Sequence, residues 1–470
     1  MALDAPFSYC DLGCGNGVSA VAFAQMFPSG TFTGVDFNDQ HIEAASALAA
    51  GAKLTNASFV RADFNALEPL DLGPFDFVVL HGVWSWVDPE ARNAIREFLA
   101  KKVKPGGIVY VSYDTMPGWA ALAPIRDLML QHTRHLVTNP ETKAQAGLDF
   151  LRYLRDRKAG FFVDNPPLSA FLDEIAGQDI RYVAHEFFGA AVKPYYFQQV
   201  STEMRSAALH FAGSAMPYMN FIDLAVPQEF RELLQKSASR LDFEQNGDYI
   251  RNQRFRKDVY VRGEASLDER AQTQILNGIP FGTTCDADSF KRAHRFGDVE
   301  LKFTAEVFGR IVAHCAVGAK TVVQLAQFDD LRNYGQELIL DAIRFLSAGG
   351  QLVPFGAPTG APSEAAISAE RYSFAVPFNL ALLKTRLFHQ PALAFVSSAA
   401  QFGMEVSTSD ALFALTSVEA PRDGVAAWTT RRLTEAGKQL SDAGAMETAL
   451  TDFRAHRLPK FLELGILAPV

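Results

Sequence analysis

The residues with the clearest chemical potential form a glycine-rich loop near the start of the chain. An apolar run, Phe7 to Leu12, leads into the segment Asp11-Leu12-Gly13-Cys14-Gly15-Asn16-Gly17. Glycines let the backbone pass close to a ligand where a Cβ atom would collide. A second apolar run, Thr31 to Val35, ends at Asp36. An acid at the tip of the second strand can accept hydrogen bonds from ribose hydroxyls, so the pattern predicts a βαβ unit that binds a nucleoside.

The charge of the loop indicates which nucleoside it binds. The glycine spacing is G-x-G-x-G, and Asp11 precedes the first glycine. A carboxylate there would attract a cation and repel the pyrophosphate of a dinucleotide. S-adenosylmethionine carries a sulfonium and an ammonium group and no phosphate, so we expect it as the cofactor. A nicotinamide cofactor and a purely structural glycine turn are the alternatives.

The motif D-x-G-x-G-x-G followed by an acid resembles the signature of class I methyltransferases. The resemblance implies a Rossmann-like α/β domain in which Asp63 contacts the adenine amino group and Phe64 covers the ring. A turn or helix-cap aspartate and a core phenylalanine are the alternatives for these two residues. The residues expected to bind the cofactor are Asp11, Gly13, Gly15, Asn16, Gly17, Asp36, Phe37, Asp63, Phe64 and His81.

Two aromatic segments follow the fourth and fifth predicted strands, which cover Phe75 to Leu80 and Ile108 to Tyr113. In open α/β sheets ligands bind beyond the carboxyl ends of the strands, and aromatic faces attract cations. The residues expected to line the methyl-acceptor site are His81, Trp84, Tyr113 and Asp114. We expect them to orient the acceptor rather than to supply an essential base. Asp114 in particular can hold an ammonium group, take its proton, or merely cap a loop.

The same aromatic segments, His81 to Trp86 and Tyr113 to Trp119, resemble bacterial methyltransferases that carry a methyltransferase regulatory domain. That group includes rickettsial protein lysine methyltransferases. Ala184 to Phe188, Gly213 to Ala215 and Asp248 to Asp258 add to the resemblance, which spans roughly residues 7 to 265. It implies a protein lysine amine as acceptor and permits a homodimer.

Two other functions remain open for this sequence. One is a methyltransferase for a small molecule or a sugar-linked metabolite. The other is a regulatory protein that binds S-adenosylmethionine without turnover, because relatives have a helical segment ahead of the first strand and this sequence begins almost at the strand.

Composition limits the remaining classes. The chain has 470 residues and a formal net charge of −9. That length suggests about two to four domains, and the acidic balance argues against nucleic acid as a partner. The four cysteines match no zinc spacing and favour a reducing cytoplasm, so no metal site is predicted. No apolar run approaches the ~20 residues of a membrane span.

The predicted domains are a cofactor-binding domain (1–120), a helical insertion (121–210), a middle regulatory domain (211–290) and a winged-helix-like domain (291–470). Within the insertion we expect an extended bridge at Val183 to Phe187. The second helix of the winged-helix pattern carries Glu337 and Asp341 and only Arg344, which argues against DNA reading. The chain is expected to close with a helix over Met446 to Phe461, in which His456 and Arg457 have no partner.

The densest basic run contains Arg251, Arg254, Arg256 and Lys257. One interpretation is a solvated helix edge with ion pairs to Asp248 and Asp258. The other is a contact for an acidic substrate or for a partner domain.

Overall fold

The computed structural model describes residues 5–189, 192–263, 268–284, 286–389, 392–437 and 443–470. Its internal contacts divide the chain into two compact units. Unit 1 comprises Met1–Asp63, Met216–Leu224 and Ala265–Val470, and unit 2 comprises Phe64–Ala215 and Ala225–Glu264. Cys285 lies outside the described residues.

Unit 1 opens with alternating strands and helices. They are β1 (Phe7–Leu12), α1 (Val18–Met26), β2 (Gly30–Asp36), α2 (Asp39–Gly51) and β3 (Ala57–Arg61). β2 pairs in parallel with both β1 and β3. Asn38 begins α2, because its side chain accepts a hydrogen bond from the Gln40 N–H, as an N-cap should. The βαβ prediction is therefore correct, with Asp36 as the last residue of β2.

Unit 2 contains the other strands of the main sheet. They are β4 (Phe75–Leu80), β5 (Val103–Asp114), β6 (Leu209–Ser214) and β7 (Phe255–Arg262). β4 and β5 are parallel, whereas β7 runs antiparallel to both β5 and β6. The seven-stranded sheet has the order β3-β2-β1-β4-β5-β7-β6. The prediction of a Rossmann-like α/β fold is confirmed.

The helices complete unit 2, and most of them lie between β5 and β7. The helices are α3 (Pro89–Lys102), α4 (Ala123–Thr133), α5 (Pro140–Asp156), α6 (Gly160–Asp164), α7 (Pro167–Ala176), α8 (Ile180–Phe188), α9 (Phe197–Ser206), α11 (Gln228–Gln235) and α12 (Arg240–Arg251). An apolar core shared by α4, α5, α7 and α8 includes Met129, Leu151, Leu172 and Val183. The mostly helical middle region follows the sequence prediction.

The extended bridge expected at Val183 to Phe187 is wrong, because these residues belong to α8. The Asp179 carboxylate caps the helix through the Arg181 N–H. Val183, Ala184 and Phe187 are buried in the helical core. The local apolar pattern is short enough to suit either state, and packing against α4 and α5 decides for the helix.

The remainder of unit 1 is built of short helices and two-stranded ribbons. The helices are α10 (Ile222–Ala225), α13 (Glu269–Gly278), α14 (Glu306–Ala316), α15 (Val322–Leu325), α16 (Gly335–Ala348), α17 (Glu364–Ile367), α18 (Pro377–Arg386), α19 (Thr408–Glu419), α20 (Val425–Glu435), α21 (Ala443–Asp452) and α22 (Leu458–Glu463). The strands are β8 (Phe281–Gly282), β9 (Ala293–Phe296), β10 (Val299–Lys302), β11 (Val353–Pro354), β12 (Tyr372–Phe374), β13 (Ala392–Ser397), β14 (Phe402–Ser407) and β15 (Leu467–Pro469). The two helices of the winged-helix pattern are present as α14 and α16, and the turn predicted between them contains the short helix α15.

The helix predicted over Met446 to Phe461 is present, although its helical type changes along its length. A π-helical turn, Phe453–Arg457, separates α21 from α22, and the chain closes with β15, which pairs with β12. His456 and Arg457 were expected to lack partners. Their side chains contact the carboxylates of Asp286 and Asp410 at 2.5 and 3.2 Å. These partners are distant in sequence, so local pattern carries no signal for them.

The first two helices of unit 1 share a core with the C-terminal part of the chain. Met26 and Leu48 belong to the same buried cluster as Phe378 and Leu382. The Ser398 hydroxyl donates a hydrogen bond to the Gln25 carbonyl oxygen at 3.0 Å. The bounds of the four domains proposed from the sequence remain a prediction. Within the described residues, no helix is both long and apolar enough to span a membrane.

Candidate cofactor and acceptor sites

The loop between β1 and α1 requires glycine at its three glycine positions. Gly13, Gly15 and Gly17 have φ values of 78°, 54° and 69°, a region that other residues rarely adopt. A Cβ atom on Gly17 would also lie 2.5 Å from the Ala45 Cβ. The N–H groups of Gly13 and Cys14 donate to the Val35 carbonyl oxygen at 2.8 and 3.0 Å. These bonds fix the loop against the end of β2.

Asp36 is anchored by backbone donors on both of its oxygens. The Gly15 N–H donates to Oδ2 and the Asn38 N–H donates to Oδ1, each at 2.9 Å. The His41 Nδ1 lies 3.2 Å from the same Oδ1. The carboxylate is thereby held at the tip of β2, beside the glycine loop. His41 was not anticipated from the sequence, where nothing distinguishes it from any polar residue in the first turn of a helix.

Asp11 is the second carboxylate of this loop, and it is almost fully buried. Burial and the negative charge of Asp36 raise the pKa of Asp11 to about 7. A bound cation would stabilise the ionised form, whereas a pyrophosphate would be repelled by both acids. The site therefore fits the sulfonium and ammonium charges of S-adenosylmethionine.

Two further features of the loop leave room for a nucleoside. A Cβ atom built on Gly15 would meet no atom within 4 Å, so the backbone is open to a ligand there. Phe37, directly after Asp36, exposes 66% of its surface and offers a flat apolar face to a purine. Asn16 is half-buried in the loop. Asp63 is exposed, and the half-buried Phe64 begins a 3₁₀ turn.

The pKa of Asp11 predicts how cofactor affinity depends on pH. A carboxyl with a pKa near 7 in the free protein is protonated below that pH, and the proton must leave when a cation binds. We therefore expect the Kd of S-adenosylmethionine to rise by up to about tenfold per pH unit as pH falls below 7. Calorimetric titrations at pH 6, 7 and 8 measure it. D11N should bind more weakly at pH 8 and lose this dependence; an equal slope in D11N contradicts the assignment.

Asp114, the last residue of β5, is the central residue of the second candidate site. Its backbone N–H donates to the Ser85 hydroxyl and its carbonyl oxygen accepts from the Tyr195 N–H, both at 2.9 Å. Its side chain is buried, and the Oδ2 atom has no hydrogen-bond partner among the described residues. Burial and the charge of Glu186 raise the pKa of Asp114 to about 7. A hydrogen bond from Trp119 has the opposite, smaller effect on this pKa.

The surroundings of Asp114 combine acidic and aromatic side chains from α8 and the strand tips. His185 stacks on Trp86 with ring centroids 4.6 Å apart. Burial raises the pKa of Glu186 above its ordinary value. Tyr182 has a raised pKa from burial and from the charges of Glu186 and Asp114. A negatively charged, aromatic environment of this kind suits an ammonium group.

The other residues expected at the acceptor site lie in different surroundings. Tyr113 is buried, and its hydroxyl donates to Asp258 Oδ2 on the neighbouring strand β7 at 2.7 Å. Trp84 is fully buried, with no partner for its indole N–H among the described residues. His81 is exposed at the tip of β4, edge-on to Tyr110; partial burial and the charge of Lys257 lower its pKa. A catalytic role for these three residues stays a prediction.

Arg256, in the basic run predicted from the sequence, belongs to a buried ion cluster. The interpretation of this run as a solvated helix edge is therefore wrong for Arg256. Arg256 is 1% exposed. It contacts Asp258, Asp248 and Glu244 at 3.0, 2.7 and 3.0 Å. The expected ion pairs with Asp248 and Asp258 are present, and Glu244 was not anticipated. Arg256 is consequently unavailable to an acidic substrate.

Glu186 and Tyr182 were not singled out from the sequence as site residues. Glu186 lies 72 positions after Asp114, in a stretch that the sequence analysis used only for its resemblance. That resemblance was the one signal that could have found it. Among the described residues, no group of His, Cys, Asp and Glu side chains is arranged to hold a metal ion.

Comparison with known proteins shows which family models and which relatives this chain matches. A family model described as a methyltransferase domain matches residues 10–107, and one described as a predicted methyltransferase regulatory domain matches residues 179–262. The chain is 30% identical to the uncharacterized protein sll1526 of Synechocystis over 99% of this chain and 92% of that protein. It is 34% identical to the uncharacterized protein RP028 of Rickettsia prowazekii, over 40% of this chain and 75% of that protein.

Among solved structures, PKMT2 from Rickettsia typhi matches with a TM-score of 0.75 at 19% identity, covering 100% of this chain and 94% of that one. The same protein in complex with AdoHcy matches with the same score at 20% identity. The fold is thus shared along the whole chain.

Strand order, glycine loop and the acid at the tip of β2 together define a class I methyltransferase whose cofactor is S-adenosylmethionine. The chain belongs to the family of class I methyltransferases that carry a methyltransferase regulatory domain.

Proposed function

We propose that this methyltransferase acts on an amine, and that the amine is a lysine side chain of a protein. The observation that supports an amine acceptor is the buried carboxylate of Asp114, whose Oδ2 lacks a hydrogen-bond partner among the described residues. A buried acceptor without a donor costs about 1–3 kcal/mol, and an ammonium N–H would supply the missing donor. The resemblance to rickettsial protein lysine methyltransferases favours a protein lysine over a free amine.

The residues of the glycine loop and those that follow β2 and β3 are proposed to hold the cofactor, which supplies an electrophilic methyl group. Asp36 would accept the ribose hydroxyls, and Asp11 would balance positive charge. Phe37 would cover the purine face, and Phe64 and Asp63 are proposed to contribute near the adenine. The glycine backbone would leave space for the ligand.

The residues of unit 2 are proposed to receive the acceptor. Asp114 would hold the incoming ammonium group, and its raised pKa lets it take the proton that the amine must lose. The rings of Trp86 and Trp119 would exclude water from the nitrogen. Tyr113 would act as a positioning residue, because its bond to Asp258 anchors the strand that ends in Asp114.

The experiment that tests this function uses the full chain, S-adenosylmethionine with a tritiated methyl group, and a fractionated bacterial lysate. We expect label in the protein fraction and N-methyllysine after acid hydrolysis. Label on small molecules alone would identify a metabolite methyltransferase instead. Binding of S-adenosylmethionine without label in any fraction would identify a regulatory protein without turnover.

A further inference from the structure

Helix α8 lies within the segment that the regulatory-domain model matches, residues 179–262, yet it contacts the tips of two strands of the catalytic sheet. His185 stacks on Trp86, which follows β4, with an angle of 11° between the rings. Phe187 packs against Trp119, which follows β5, with ring centroids 6.3 Å apart. Glu186 stands between these two contact residues in the sequence. The helix is therefore held beside Asp114.

The two faces of α8 have different surroundings. Val183, Ala184 and Phe187 are buried in the helical core. Tyr182 and Glu186 are four residues apart and so share a face, on which Tyr182 is exposed and Glu186 half-buried. The charge of Glu186 acts on Asp114, and both act on Tyr182. Glu186 has no hydrogen bond or ion pair among the described contacts that would neutralise it.

We infer that Glu186 and Asp114 form a two-carboxylate site that binds the two N–H groups of an unmethylated amine, so that the regulatory segment supplies half of acceptor recognition. The inference rests on the proposed function and adds the residue that sets which methylation states are accepted. The arrangement uses one half-buried acid from α8 and one buried acid with a free oxygen from β5.

The amine arrives as R–NH₃⁺ and transfers one proton to the carboxylate pair. The remaining two N–H groups donate to Asp114 and Glu186, and the lone pair stays free for attack. The nitrogen then forms the N–C bond while the C–S bond breaks and sulfur keeps its electron pair. The methylated ammonium leaves, and the proton on the carboxylate pair passes to water.

A difference between methylation states follows from this geometry. A neutral primary amine has two N–H groups to satisfy the two acids, whereas a neutral monomethylamine has only one. The second methylation therefore loses one hydrogen bond to a charged group, and we expect it to be about ten- to a hundredfold slower than the first. The site should yield mainly monomethyllysine.

The test uses full-length protein, S-adenosylmethionine and a lysine–alanine copolymer, with methylation states counted by mass spectrometry. We expect E186Q to raise the KM for the copolymer about tenfold with a smaller change in kcat, and E186D to recover part of it. E186A should reduce the difference between first and second methylation to about threefold or less. The matched control is E229Q, which neutralises an exposed acid on α11 and should behave as the wild type. AdoHcy binding, measured by calorimetry, should be equal in all variants.

The possible results of this experiment distinguish a failure of the Glu186 inference from a failure of the proposed lysine methylation. If the wild type methylates the copolymer and E186Q and E186A keep its KM and product distribution, Glu186 has no role in recognition and the inference is wrong. If the wild type binds AdoHcy but methylates no lysine, the proposed function fails and the inference falls with it. If E186A alone loses AdoHcy binding, the helix is structural and the recognition role is contradicted.

Discussion

Replacing Asp114 with asparagine should lower kcat for amine methylation by at least about a hundredfold, the range typical of a lost proton acceptor. Asparagine has nearly the same shape and keeps an oxygen for the Trp119 hydrogen bond, but it cannot take a proton from the ammonium group. AdoHcy binding should stay within about twofold, because the cofactor groups named above belong to other residues. Single-turnover methylation of a lysine copolymer, with calorimetry for AdoHcy, measures both.

The pH profile gives a second readout of the same replacement. Asp114 acts in its ionised form, and its pKa is about 7, so wild-type kcat/KM should fall as pH drops below 7. D114N should lack this limb. The matched control is D127N, which neutralises an exposed acid on α4 and should preserve both rate and profile. An active D114N enzyme with an unchanged profile would show that Asp114 only caps the loop.

Replacing Arg256 with glutamine should destabilise the protein by about 3–5 kcal/mol, because removing one partner leaves buried charges uncompensated. Glu244, Asp248 and Asp258 all contact this guanidinium, and all four side chains are at least nine-tenths buried. Glutamine keeps some hydrogen bonding but supplies no positive charge. Urea unfolding followed by circular dichroism measures the change.

The loss of stability caused by R256Q should depend on pH, and the sign of this dependence follows from the carboxyls that remain in the cluster. Burial raises the pKa of Asp248 to about 6 and raises the pKa of Asp258, although Arg256 opposes both shifts. Without Arg256 these pKa values rise further, so protonation relieves the folded state at low pH. The loss of stability should therefore be larger at pH 8 than at pH 6.

A matched control is R152Q, which breaks an exposed pair with Asp149 and should change stability by less than about 1 kcal/mol. Equal effects of R256Q and R152Q would contradict the importance of the buried cluster.

The residues proposed to hold the cofactor were recognisable in the sequence because they lie close together in it. Asp11, the three glycines and Asp36 fall within one βαβ unit, where positive φ angles and charge sign follow from residue type alone. The same locality accounts for the correct assignment of the strands and of most helices. It also accounts for the correct cofactor.

The proposed acceptor site was only partly predictable, because its residues are distant in sequence. Asp114 was recognisable as the tip of a strand, but Glu186, the second acid of the proposed site, lies on a helix that was predicted to be extended. Arg256 was interpreted as a solvated cation because the sequence does not show that three acids surround it in a buried cluster. Nor does the sequence show that the Tyr113 hydroxyl donates to Asp258, a residue 145 positions away.

The sequence by itself determined the class of this protein, through a glycine loop whose backbone angles admit only glycine and whose acids favour a cationic nucleoside. The tertiary structure alone decided which acids and cations are buried together. Burial depends on partners far along the chain, and burial is what raises the pKa of Asp114 to about 7 and makes Arg256 a structural ion.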